Sequence, residues 1–102
     1  MYASLSTFRG EVPDLDLAAR AVGESMEAWL REFDGYLGLI ILTNEETGVA
    51  YAMTFWESVE AAERSRHGRG RMREQMASAV GVDVLSNEHY SVSFCEGFVP
   101  AR

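Results

Sequence analysis

The chain has 102 residues, 47% of them hydrophobic and 25% charged, a composition that fits one globular domain with one core and excludes a disordered or two-domain chain. Sixteen acidic residues oppose nine basic ones, all of them arginine, and the formal charge of −7 argues against nucleic acid or an anionic membrane as main partner. No basic leader with an apolar segment opens the sequence and no apolar run approaches membrane length, so a cytoplasmic location is expected. The single cysteine, Cys95, excludes an internal disulfide and lacks metal-ligand spacing; it is expected as a small, half-buried strand residue.

In chain order, Tyr2 to Arg9 is rich in Leu, Thr and aromatic residues and predicts a strand ending at Gly10, with a loop through Pro13. Asp14 then caps a predicted helix. Leu15, Ala18, Val22, Met26, Trp29 and Phe33 recur at steps of three or four and form one apolar stripe, while Asp16, Arg20, Glu24, Glu27 and Arg31 take the other face. The helix is expected to stop at Asp34-Gly35, where Gly35 suits the left-handed position past the last turn. Gly23 inside it costs about 1 kcal/mol relative to Ala.

Two strands are predicted next, Tyr36 to Thr43 and Val49 to Trp56, and the polar Asn44-Glu45-Glu46-Thr47-Gly48 between them makes a hairpin of antiparallel neighbours. Ser58 caps a second helix with Glu60 in its first turn. That helix runs from Val59 to about Val80 and ends at Gly81. Val82 to Cys95 reads as a longer last strand with an irregularity near Ser86-Asn87. The order βαββαβ is the ferredoxin-like α+β plan, an antiparallel sheet with two helices on one face, and residues 1–102 form a single such domain. Both hairpin strands are nevertheless apolar on both faces. With both helices on one side, a second copy of the chain is the expected cover for the other, giving a homodimer.

On the third strand Ala50, Ala52, Thr54 and Trp56 share one face, and Tyr51, Met53 and Phe55 the other. The small set leaves volume between sheet and helices for a pocket walled by Trp56, unless the alanines only let a helix pack close and Trp56 fills the core end. The segment Glu63 to Arg71 has no large apolar residue, and Gly68 and Gly70 lower its helix propensity. It is expected to turn away from the core and to hold a kink, a break or a mobile lid. Five of the nine arginines lie between Arg64 and Arg73, forming either a cationic patch at a pocket mouth or a solvated face balanced by Glu57, Glu60, Glu63 and Glu74. His67 in that segment could act as base, acid or single axial ligand to haem, but a lone histidine makes no zinc or iron site. His89 is given no role. Hydrolase and nucleotide-binding readings lack a Ser-His-Asp context, a phosphate loop or a GxGxxG.

The order of elements, the hairpin after Phe33-Asp34-Gly35-Tyr36-Leu37-Gly38, and Thr54-Phe55-Trp56-Glu57-Ser58 opening the second helix resemble the antibiotic biosynthesis monooxygenase-like family of dimeric α/β barrels over nearly the whole chain. The resemblance implies a homodimer and a monooxygenase that works without a cofactor on a flat aromatic, quinol or anthrone-like molecule. It also leaves open a haem-binding or haem-degrading protein, or a non-catalytic module that binds a small ligand. Within it Trp56 matches a pocket-lining tryptophan and His67 lies where haem degraders place an axial histidine. His67 would be the base and Trp56 a wall, with Ala52, Thr54, Arg64, Arg71 and Met72 around the substrate and Arg66 a further candidate for its oxyanion. The chain departs from the pattern twice: Tyr2 to Arg9 lacks the asparagine of the haem branch, and Ala52 stands where anthrone oxidases carry an asparagine.

Overall fold

The computed structural model describes residues 1–97; residues 98–102, expected within the same domain, lie outside the described part. Along the chain come β1 (Tyr2–Arg9), α1 (Leu15–Leu30), β2 (Tyr36–Asn44), β3 (Val49–Trp56), α2 (Val59–Arg64), α3 (Arg66–Val80) and β4 (Asp83–Ser91). The strands form one antiparallel sheet in the order β2-β3-β1-β4. The helices lie on one face of it, which is the ferredoxin-like plan.

Local chemistry accounts for most boundaries. Asp14 accepts a hydrogen bond from the Leu17 amide at 3.1 Å and starts α1. Regular helix ends at Leu30, earlier than the apolar stripe predicts, because the Glu32 and Phe33 amides bond three residues back to Trp29 and Leu30 and tighten the last turn. Phe33 still packs edge-on against Trp29 at 4.8 Å. Gly35 has φ +87°, and a Cβ there would lie 2.4 Å from that of Ala61. In the hairpin, Asn44 Oδ1 accepts from the amides of Glu46 and Thr47 at 3.0 and 3.3 Å.

The expected break in the second helix falls at Ser65, not at the glycines. Ser65 has φ −102° and ψ 1°, and its hydroxyl donates to the Ala62 carbonyl at 3.2 Å. Gly68 and Gly70 lie inside α3. A Cβ on Gly68 would stand 3.3 Å from the Trp29 ring, so the glycine lets α3 and α1 approach. The expectation that Glu63 to Arg71 turns away from the core is corrected, since Arg69 in its midst is 4% exposed.

β4 ends at Ser91, opposite the first residue of its partner β1, Tyr2, and beyond it the Val92 amide still donates to the Met1 carbonyl at 2.9 Å. Cys95 therefore lies beyond the strand and is exposed, against expectation. The irregularity in β4 is an extra residue, Leu85: Thr7 pairs with Ser86 and Phe8 with Val84. This bulge puts Val84 and Asn87 on the same face although two residues lie between them. On the other face of the sheet, Leu42 opposite Tyr51 and Met53 between Ile40 and Leu5 make an apolar surface. Leu42 is 53% and Tyr51 41% exposed.

Candidate functional site

Between the sheet and the helices lies an apolar cavity of about 100 Å³. Ala50, Ala52, Leu39 and Ile41 form its sheet side, with Val22 and Met26 of α1 and Met76 and Ala77 of α3 opposite. The volume follows from strand alternation, since Ala52 sits between Ser6 of β1 and Ile41 of β2 and none of its neighbours in β3 on that face fills the gap. Gly23 also serves here: a Cβ on it would come within 3.3 Å of Ile41 Cδ1.

One end of the cavity is polar. Arg69 and Arg73 reach into it from α3, and Ser4, Ser6 and Thr54 rise from the sheet. Arg69 Nη1 donates to Ser4 Oγ at 3.2 Å, Nη2 to the Ala62 carbonyl at 2.8 Å and Nε to Ser65 Oγ at 2.9 Å, which ties the guanidinium to the helix break. Arg73 Nε donates to Ser6 Oγ at 3.0 Å. From β4, Asn87 Nδ2 donates to both serines, at 3.2 Å to Ser4 and 2.9 Å to Ser6. Among the described residues no carboxylate forms an ion pair with either arginine. Burial, with Arg73 adding to it, pushes the Arg69 guanidinium down to about 10, still well above neutral pH, and burial lowers Arg73 as well.

Trp56 does not line the cavity. It is 0% exposed in a core with Leu30, Ala61 and Ala62, edge-on to Tyr36 at 5.7 Å. It meets the site through its neighbours: its Nε1 donates to Thr54 Oγ1 at 2.9 Å, and Arg69 lies over its ring at 4.9 Å.

Of the residues singled out from the sequence, Ala52 and Thr54 line the cavity. His67, Arg64 and Arg71 are exposed; His67 and Arg71 border an open depression of about 880 Å³ with Glu63, Arg66 and Gln75, which meets the polar end of the cavity at Arg73 and Asn87. Met72 is half-buried and outside the lining, where Met76 stands instead. The helical phase explains the difference: with α3 starting at Arg66, the positions four apart that face the sheet are Arg69, Arg73 and Ala77. Reasoning from hydrophobicity missed Arg69 and Arg73, although their spacing with Ala77 is a signal. It also missed His89, which stacks on Tyr2 at 6.2 Å between centroids. Its imidazole is held below its ordinary value by burial and then by Arg66 and Arg69. Among the described residues no group of three or more His, Cys, Asp or Glu could hold a metal ion, and no helix is long and apolar enough to cross a membrane.

No family model and no curated protein matches the sequence. Solved structures do match. A candidate antibiotic biosynthesis monooxygenase from Deinococcus radiodurans aligns with a TM-score of 0.70 at 15% identity, covering 97% of this chain and 99% of that one. SnoaB, a cofactor-independent oxygenase from Streptomyces nogalater, aligns with a TM-score of 0.66 at 12% identity over 95% and 97% of the two chains. The monooxygenase ActVA-Orf6 of Streptomyces coelicolor, in complex with nanaomycin D, gives 0.60 at 16% identity over 98% and 92%. The chain thus has the fold of the antibiotic biosynthesis monooxygenase structures.

Proposed function

We propose that this chain is a cytoplasmic, homodimeric monooxygenase that needs no cofactor and oxidises a flat aromatic quinol held between sheet and helices. The observation that supports it most is the cavity itself, an apolar slot ending in two arginines, on a fold shared with oxygenases such as SnoaB. The outward apolar face of the sheet, with Leu42 and Tyr51 exposed, is the surface two copies would bury.

In this reading the substrate supplies the electrons. The quinol binds as its monoanion, and the ring carbon beside the ionised oxygen carries the electron density that reduces molecular oxygen. A carbon–oxygen bond forms there, the resulting hydroperoxide breaks its oxygen–oxygen bond, and a hydroxyquinone is left. The product has gained one oxygen and lost two hydrogens, which leave with the second oxygen atom as water, so no outside reductant is required. The chain's own work is electrostatic. Arg69 and Arg73 stabilise the substrate oxyanion where little water competes, which favours ionisation of the bound quinol. Apolar walls position the ring and exclude water. The lining contains no His, Asp or Glu, so the proton passes to solvent at the mouth and His67, exposed outside the cavity, takes no step.

Haem, which one branch of the resemblance implies, does not fit these residues: the apolar cavity of about 100 Å³ cannot receive a porphyrin, and the open depression of about 880 Å³ that holds His67 is lined by charged and polar residues and Gly70, with no apolar side chain to cover a porphyrin face. The test is oxygen uptake by the purified protein with a panel of benzoquinols and naphthoquinols under labelled oxygen, with light scattering for the subunit number. Uptake above the uncatalysed rate, one labelled atom in the product and full turnover in His67→Ala are expected. Quinols that bind but consume no extra oxygen would leave a non-catalytic binding module, and a monomer at micromolar concentration would refute the dimer.

A further inference from the structure

We propose that the cavity selects a single-ring aromatic oxyanion, a phenolate or benzoate whose charged oxygen lies between Arg69 and Arg73 and whose ring rests on Ala50, Ala52 and Ile41. The inference deepens the oxygenase reading by naming the substrate class of that site, and it stands or falls on binding alone.

Hydrogen-bond bookkeeping at the polar end carries the charge preference. Ser4 Oγ already accepts from Arg69 and Asn87, and Ser6 Oγ from Arg73 and Asn87. Thr54 Oγ1 accepts from Trp56. Hydroxyls that take bonds from such donors have their own protons left to give. Arg73 engages Ser6 through Nε, and no hydrogen bond occupies its two terminal nitrogens among the described residues. The end wall therefore offers O–H and N–H groups and two positive charges, without a His, Asp or Glu. A ligand oxygen that only accepts, and that carries negative charge, satisfies all of them; an amide, an amine or a cation leaves donors unpaired or charges opposed. Two half-buried to buried guanidinium groups with no carboxylate at ion-pair distance, Glu63 and Glu74 acting on them only from farther away, are costly in the empty protein, and an anion from outside removes part of that cost.

Size supplies the second half. The cavity measures about 100 Å³, below the roughly 150 Å³ of an apolar protein cavity that accepts one benzene molecule. One ring can be admitted with small shifts of Met26 and Met76, which are flexible side chains in the lining. Three fused rings would have to part α1 from the sheet.

The test titrates the full chain at pH 7 with para-nitrophenol, benzoate, benzamide, nitrobenzene and anthracene carboxylate, by calorimetry. Absorbance reports the ionisation of bound nitrophenol. Benzoate is expected to bind at least tenfold tighter than benzamide, and nitrophenol to bind as its coloured anion, at least tenfold tighter than nitrobenzene. Anthracene carboxylate should show no saturable binding. In Arg73→Met the preference for benzoate over benzamide should fall to less than threefold while weak binding of both persists. Calorimetry in buffers of different ionisation enthalpy separates the two oxyanion sources, because a phenol that binds from its neutral form releases a proton and benzoate does not. Equal affinity for benzoate and benzamide, binding of the three-ring acid as tightly as the one-ring acid, or no binding of any member would overturn the proposal. These outcomes come from the wild type, so they hold even if Arg73→Met fails to fold. Oxyanion selectivity without oxygen uptake would retain this inference and remove the oxygenase reading; uptake without selectivity would do the reverse.

Discussion

Replacing Thr54 by valine isolates the link between the cavity and the core. The substitution keeps shape and removes the acceptor of the Trp56 Nε1 hydrogen bond, 2.9 Å long, from a tryptophan that is 0% exposed. A buried donor left unpaired costs about 1–3 kcal/mol. The new methyl recovers up to about 0.8 kcal/mol of that. The net loss is about 0.2–2 kcal/mol, and at about 4–8 °C per kcal/mol for a domain of this size Tm should fall by roughly 1–16 °C. Thermal unfolding by circular dichroism measures it, at one protein concentration because self-association would make Tm depend on concentration. Trp56→Phe has no N–H to satisfy, so adding Thr54→Val to it should carry no unpaired-donor cost, leaving a coupling of about 1–3 kcal/mol in the double-mutant cycle. A Thr54→Val protein as stable as wild type, or one whose loss is the same in both backgrounds, would refute the reasoning.

Two further outcomes follow from buried groups elsewhere. Tyr36 Oη is buried without a hydrogen-bond partner among the described residues, and burial, aided by Glu27, pushes its phenol up to about 12. Tyr36→Phe should therefore unfold at the same temperature as wild type or higher, and a loss of more than about 1 kcal/mol would show that the hydroxyl is satisfied after all. His89 has a folded pKa below its ordinary value, first through burial and then through Arg66 and Arg69. Its contribution to stability is complete above the unfolded value of about 6.5 and is lost as pH falls through that value toward the folded one. Stability should drop on acidification across this window and His89→Gln should flatten the drop, while an NMR titration midpoint of His89 at or above 6.5 would contradict the assignment.

Much of the architecture was legible from local pattern. Strands β1 and β3 have the predicted ends, Tyr2–Arg9 and Val49–Trp56, because β-branched and aromatic runs bounded by glycine and polar turns are local signals. Asp14, Ser58 and Gly81 mark helix ends by side-chain capping or positive φ, which are likewise properties of a few adjacent residues, whereas Gly35, expected to end the first helix, has the positive φ but lies beyond its end at Leu30. The small face of β3 already implied space beneath the helices, and Ala52 and Thr54 do line it.

Tertiary structure decided which charged residues enter that space. By composition Glu63 to Arg71 is a solvated segment, and hydrophobicity alone turns it outward. The break at Ser65 resets the helical phase and frees the Ala62 carbonyl, and Arg69 becomes buried because that carbonyl, Ser4, Ser65 and the Trp56 ring together replace its water. Those partners are up to 65 residues away in sequence, and no local window contains them. The same long-range geometry leaves His67 outside and, through the bulge at Leu85, turns Asn87 in toward Ser4 and Ser6. The periodicity of the chain determined where most of its helices and strands run; the burial of Arg69 and half-burial of Arg73, and with them the character of the site, were decided only where β1, β4 and α3 meet.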